Sequence, residues 1–248
     1  MVNLKSIKTQ LIIFLCGFAI YLSFKDKDAI FLLTTFISVI SAIGVESAIL
    51  YLKNKRVSVT DSSIISGLII GYVLSIGNAW WIFTVASLFA ICFKYLIRVN
   101  GKHLFNPAAF GIFLTTVLFG VTTQWKGTYI WYVLVPFGFY FIAKSKKMEL
   151  LLGYGLTALI LFSVQASIQK IPISNIFGYL SYFYIFIMLI EPKTTPVKPL
   201  GKLIFGVGAA ILIFILTEIG VRFDVELCAL LIFNLATPLL NRLPNFRK

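Results

Sequence analysis

Acidic side chains are scarce. The 248 residues hold nine Asp and Glu against 22 Lys and Arg, with one histidine and three cysteines. With one histidine and no Cys-x-x-Cys pair, the chain offers no zinc or iron–sulfur ligand set of its own. Cys16, Cys92 and Cys228 each sit inside an apolar run and read as small buried hydrophobes rather than a disulfide framework. There is no Walker A loop, no GxGxxG, no HExxH and no Ser/His/Asp set, so neither a self-contained hydrolase nor a nucleotide-driven pump is expected. Charged residues make up only 12% of the chain, about half the share of a soluble domain. What is abundant is apolar: 59% of residues, with a mean hydropathy of +0.95. The chain is therefore an all-α polytopic membrane protein, and its length bounds the number of spans.

A spanning helix needs about 20 mainly apolar residues. Ten segments qualify: 9–24, 29–52, 62–77, 79–97, 106–122, 128–143, 149–168, 173–190, 202–221 and 225–241. The first resembles a signal peptide in polarity, but no small-residue cleavage site precedes Lys25, so it reads as a retained span. With the N-terminus inside, alternation across ten spans puts every Lys and Arg on the inner side except Lys25, Lys27, Lys126, Lys170 and Arg222. Basic residues concentrate in cytoplasmic loops. The split predicts a multi-pass protein of the inner (plasma) membrane with both termini cytoplasmic, and explains the +13 net charge without nucleic acid. No loop is long enough for a soluble catalytic domain. The whole of 1–248 reads as one transmembrane domain. Ten spans divide into halves 1–125 and 126–248, and five spans per half would make the repeat inverted.

The polar exceptions carry the chemistry. Asn106-Pro107-Ala108-Ala109 is a helix start set between apolar segments, with Asn as cap and Pro at the first helical position. It either begins an ordinary span or lines a site with its free N–H groups. Asp61-Ser62-Ser63 is either a plain cap or a carboxylate and two hydroxyls offered on the cytoplasmic side. Glu46 lies well inside the second span; an intramembrane carboxylate is a candidate for Na⁺ or proton coupling, or a hydrogen-bonded structural group. Glu191-Pro192-Lys193-Thr194-Thr195-Pro196 cannot be regular helix. It is either a rigid turn or the wall of a polar cavity. The aromatic eighth span, with Tyr179, Tyr182, Phe183, Tyr184 and Phe186, is either packing surface or a stacking wall.

Four stretches in this order carry a resemblance. They are Thr60 to Leu68 leading to Trp80-Trp81; Phe105-Asn106-Pro107-Ala108; Glu191 to Pro196 followed by Gly201 to Gly206; and Asn234-Leu235-Ala236-Thr237-Pro238. Together they resemble the RnfD/NqrB family, the flavin-carrying membrane subunits of Rnf and Na⁺-translocating NADH:quinone oxidoreductase complexes. The likeness is strongest at 59–125 and 185–241, and Glu46 falls where that family carries a membrane glutamate. The resemblance implies a ten-helix 5+5 fold similar to urea and ammonium transporters, and a role in redox-driven, ion-translocating electron transport. It implies partners as well: other membrane subunits and a cytoplasmic flavoprotein or iron–sulfur protein. The family attaches FMN to the threonine of a Ser-x-Ala-Thr signature between the fifth and sixth spans; this chain has no such signature, and that connection is only about Val121 to Gly127. The expectation is therefore a shortened member holding flavin (FMN or riboflavin) non-covalently among Asp61, Ser66, Asn106, Pro107, Glu191, Thr194 and Thr195, with Glu46 as the ion-coupling residue. The alternative is a transporter or channel for a small solute, or for flavin itself, without redox chemistry. A purely structural subunit is the third reading.

Overall fold

A computed structural model describes residues 6–55, 57–99, 101–191 and 193–244. Lys5, Arg56, Pro192, Arg247 and Lys248, which enter the charge alternation or the Glu191–Pro196 stretch, lie outside the described residues. Among those described, the chain folds into nine α-helices: α1 (Ile7–Asp26), α2 (Ala29–Asn54), α3 (Asp61–Val73), α4 (Trp80–Leu96), α5 (Pro107–Phe119), α6 (Trp131–Ser145), α7 (Met148–Ile168), α8 (Pro199–Ile219) and α9 (Val225–Leu240). The two-residue strands β1 (Arg98–Val99) and β2 (Lys102–His103) pair between α4 and α5. This is an all-α membrane fold. Four helices, α1, α2, α7 and α8, are long and apolar enough to cross a bilayer; α3, α4, α5 and α9 are apolar but shorter. The chain divides into two compact units, Met1–Arg98 with Pro107–Gly127, and Val99–Asn106 with Thr128–Lys248.

In the first unit α1 turns into α2 at Lys27, in the left-handed region (φ 54°), and Asp28 caps α2 by accepting from Phe31 N. Lys126 closes the same turn, its Nζ 2.9 Å from Asp28 and 3.0 Å from Asp26. Helix α3 is the buried centre of this unit. Its N-cap is Thr60, one residue before the expected Asp61 cap, and Ser66 to Val73 are all buried. Small residues let backbones approach, as is usual between membrane helices: a Cβ on Gly67 would sit 2.5 Å from Val39 Cα, and one on Gly111 of α5 2.4 Å from the Ala86 carbonyl of α4.

Helices α3 and α5 have 13 residues each, about 20 Å of rise against a hydrocarbon core of about 30 Å. The expected spans 62–77 and 106–122 therefore end early. The residues beyond them pair instead. Leu74 bridges Thr123, Ser75 N donates to Thr122 O (3.0 Å), Gln124 N to Val73 O (2.8 Å) and Lys126 N to Tyr72 O (2.7 Å). Extended backbone at membrane depth needs such partners, since lipid supplies none.

In the second unit α7 and α8 pack through Gly153 and Gly206, where a Cβ would meet the Leu203 and Leu150 carbonyls at 2.6 and 2.3 Å. The expected eighth span, 173–190, does not form a regular helix. Pro172 leads into a 3₁₀ turn at Ile173–Gly178, and after Ser181 the chain widens into a single π turn at Tyr184–Met188 before Glu191. Hydropathy marks the run because it is buried: Phe183 to Ile190 are all at most 5% exposed, enclosed by protein. Pro199 then opens α8 at its first turn, where proline is tolerated.

Two outcomes follow from this packing. Gly111→Leu should lower the thermal unfolding midpoint by the equivalent of about 1–3 kcal/mol or more, whereas Gly44→Leu, with nothing within 4 Å of its Cβ, should leave it unchanged. For Lys126, burial alone would lower the ammonium pKa, but hydrogen bonds and charge from Asp28 and Asp26 outweigh it and hold it above its ordinary value. A raised lysine pKa gives stability that is fully present below the unfolded value of about 10.4 and lost as pH rises through the folded one. The melting advantage of wild type over Lys126→Met should stay constant from neutral pH to about 10 and shrink above that.

Candidate functional site

The second unit assembles its polar groups around the irregular segment that ends at Pro196. Proline at 196 and 199 denies this segment helical hydrogen bonds, so its backbone groups turn to side chains. Thr195 Oγ1 donates to the Glu191 carbonyl (2.9 Å), and Val197 N to Asn241 Oδ1 (2.9 Å). The Thr194 carbonyl accepts from Asn234 Nδ2 (3.2 Å) and Thr237 Oγ1 (2.8 Å), both on α9. Asn234 Oδ1 accepts from the backbone N–H of Asn106 (2.8 Å). One fully buried amide on α9 thus fixes both the residue that precedes α5 and the centre of the Glu191–Pro196 segment.

Lys147, at the start of α7, is buried at 4% exposure and hydrogen-bonds to the Thr195 hydroxyl and to the Pro196 carbonyl (3.2 Å). Burial pushes its pKa down to about 8, and the nearby Lys202 adds to this, while Glu191 and Glu149 pull the other way. Lys202 itself caps the Lys146 carbonyl (2.6 Å). Glu191 receives the Thr194 hydroxyl at Oε2 (3.4 Å). Its Oε1 lies 3.6 Å from His103 Nε2, beyond hydrogen-bond length. That imidazole nitrogen is buried and has no hydrogen-bond partner among the described residues. His103, Thr194 and Thr237 line a cleft of about 290 Å³ together with Lys102, Lys193 and Asn241.

The first unit holds a separate buried ionic cluster. Glu46, 1% exposed in α2, accepts from Lys94 Nζ (2.5 Å), Tyr95 OH (2.8 Å) and the Thr60 hydroxyl. The carboxylate is fully engaged by α4 and by the cap of α3. Removing one partner of such a pair costs about 3–5 kcal/mol, because the other charge stays buried.

Of the residues expected at a site, Asn106, Glu191, Thr194 and Thr195 come together in the second unit. Asp61, Ser66, Pro107 and Glu46 belong to the first. Asp61 begins α3 half-buried, Ser66 is buried within it, and Pro107 is the first residue of α5, as its chemistry predicts. Sequence reasoning misses His103, Lys147 and the partners Lys94, Tyr95 and Thr60. In the sequence Lys147 and Lys94 read only as topological charge, and nothing local sets either apart from its basic neighbours. His103 is the sole histidine of the chain and lies in the polar stretch before Asn106, which is a usable signal.

The model of the NQR2, RnfD, RnfE family matches residues 2–132 and 127–247. A protein of Acetobacterium woodii, named as a subunit of the Na(+)-translocating ferredoxin:NAD(+) oxidoreductase complex, is 36% identical over 74 residues, 29% of this chain and 23% of that protein. Proteins of Erwinia tasmaniensis and Shewanella pealeana, each named as a subunit of an ion-translocating oxidoreductase complex, are 31% identical over 94 residues and 28% over 100, covering 36% and 38% of this chain. The aligned stretches thus span under a third of each relative (27% and 29% of the latter two). The family match, by contrast, runs over nearly the whole chain, and the protein belongs to the NQR2, RnfD, RnfE family.

Proposed function

We propose that the chain is a membrane subunit of a redox-driven, ion-translocating electron transport complex, passing electrons through a non-covalently held flavin. The observation that carries this reading is the family match over both halves of the chain, and the complexes named for its relatives agree with it. The described residues contain no group of His, Cys, Asp or Glu able to hold a metal. On this reading electrons would arrive from a separate flavoprotein or iron–sulfur subunit. Both termini and the loops bearing Lys102, Lys147 and Lys193 would face the cytoplasm on the ten-span charge alternation.

The second unit suits a flavin in part. The buried His103 Nε2 has no hydrogen-bond partner among the described residues, and the Asn234 network holds the surrounding backbone in place. At about 290 Å³ the cleft is at the small end for a ligand pocket, so it would seat one end of the molecule rather than all of it. When bound, a flavin supplies one- and two-electron transfer; the chain's own part is to bind it, orient it and keep water out. A transporter without redox activity is the second reading, supported by the shortened α3 and α5 with their paired extended ends.

Purified protein should show the visible absorbance of an oxidised flavin, released on denaturation because no covalent bond holds it. Lack of flavin after purification, with no binding on titration, would sink the cofactor claim, and solute uptake into liposomes would favour the second reading. Glu46 separates coupling from scaffolding. Glu46→Gln should lower stability by leaving Lys94 uncompensated. The Glu46→Gln/Lys94→Met double variant should recover the melting midpoint but still fail to move ions in complex-bearing vesicles. Full ion movement in the double variant would make Glu46 structural only.

A further inference from the structure

The cleft before α5 has a composition that the flavin reading does not by itself explain. Its lining includes three bases, Lys102, His103 and Lys193, and no acid among the described residues. His103 is 6% exposed, and its Nε2 is buried without a hydrogen-bond partner there. Leaving a buried polar nitrogen unpaired costs about 1–3 kcal/mol, so the position calls for a partner from outside the chain, an acceptor where Nε2 carries the proton. Neither neighbouring hydroxyl accepts from it in this structure: Thr194 is turned to Glu191, and Thr237 to the Thr194 and Phe233 carbonyls. Nor does Glu191, whose Oε1 stops 3.6 Å short and which does not line the cleft. The hairpin of β1 and β2 and the bonds of Asn234 hold the walls in place before any ligand arrives.

The geometry points to a phosphate-binding cleft, in which Lys102, His103 and Lys193 hold the phosphate group of an anionic ligand. Two ammonium groups around a buried imidazole N–H match a phosphate, with three acceptor oxygens and up to two negative charges, better than a monoanionic carboxylate. A cation is disfavoured by the same lysines. The volume admits the phosphate and a few atoms beyond it, and Leu104 and Pro238 add apolar lining that the rest of the ligand could contact. The phosphate has two possible sources: a soluble phosphate monoester such as flavin mononucleotide, or an anionic phospholipid headgroup. The first deepens the proposed function and rests on it; the second stands apart from it.

The test uses the full chain in nanodiscs. In phosphatidylcholine discs, binding of flavin mononucleotide, riboflavin and inorganic phosphate is measured by calorimetry. In discs containing phosphatidylglycerol, retained lipid is measured by native mass spectrometry. The Lys102→Met/Lys193→Met variant, altered at two exposed side chains and so expected to fold, is compared with wild type, with His103→Gln as an independent probe of the buried donor. A loss of about tenfold in affinity for flavin mononucleotide and for inorganic phosphate, with riboflavin unchanged, supports the site with a soluble ligand. Loss of retained phosphatidylglycerol alone supports it with a lipid. Flavin mononucleotide, inorganic phosphate and phosphatidylglycerol all unaffected by both variants would overturn it, and flavin binding that persists there would leave the proposed function standing.

Discussion

Hydrocarbon offers no hydrogen bond, and every polar group that enters it must find a partner within the protein. This constraint explains more of the chain than its apolarity does. Glu46 is tolerable in α2 because three donors from α3's cap and α4 converge on it. The extended ends of α3 and α5 are tolerable because each gives the other its backbone hydrogen bonds. The Glu191–Pro196 segment, which its prolines keep from helix, survives because Asn234, Thr237, Asn241 and Lys147 take up its exposed carbonyls and N–H groups. In each case the irregularity and its compensation come from distant parts of the sequence.

That distance sets what could be read in advance. The all-α membrane class, the short third span and the helical start at Pro107 follow from local properties: run length, hydropathy and the conformational demands of proline. The eighth span does not, because hydropathy reports how apolar a run is and not what encloses it. Residues 183–190 are apolar because protein surrounds them, and the π turn they adopt has no local signature. The site was legible in half of its parts. Asn106, Glu191, Thr194 and Thr195 each carried an abnormal local pattern, and they meet. Lys147 and Lys94 carried none: each is one base among several, and its partner lies 48 residues away.

Two carboxylates invite comparison. Each sits in its own unit, each receives a threonine hydroxyl, and each faces a base: Glu46 with Thr60 and Lys94, Glu191 with Thr194 and His103. The family model also matches the chain in two stretches that divide near residue 130. The first unit holds five helices, α1 to α5, and in the second unit the expected eighth span is broken.

The parallel is informative mainly where it fails. In the first unit the base closes on the carboxylate at 2.5 Å, and the carboxylate is 1% exposed; the cluster is satisfied and sealed. In the second the base stands off at 3.6 Å, and the glutamate side chain is 25% exposed. A sealed pair has nothing left to offer a ligand, whereas a base held short of its carboxylate beside a cleft keeps its donor for something else. Similar polar elements close a structure in the first unit and stay open in the second. The buried nitrogen left beside a cleft is in the second unit. Any coupling role for Glu46 would have to work by breaking an ion pair, a step that costs several kcal/mol and would need to be driven by the redox event itself.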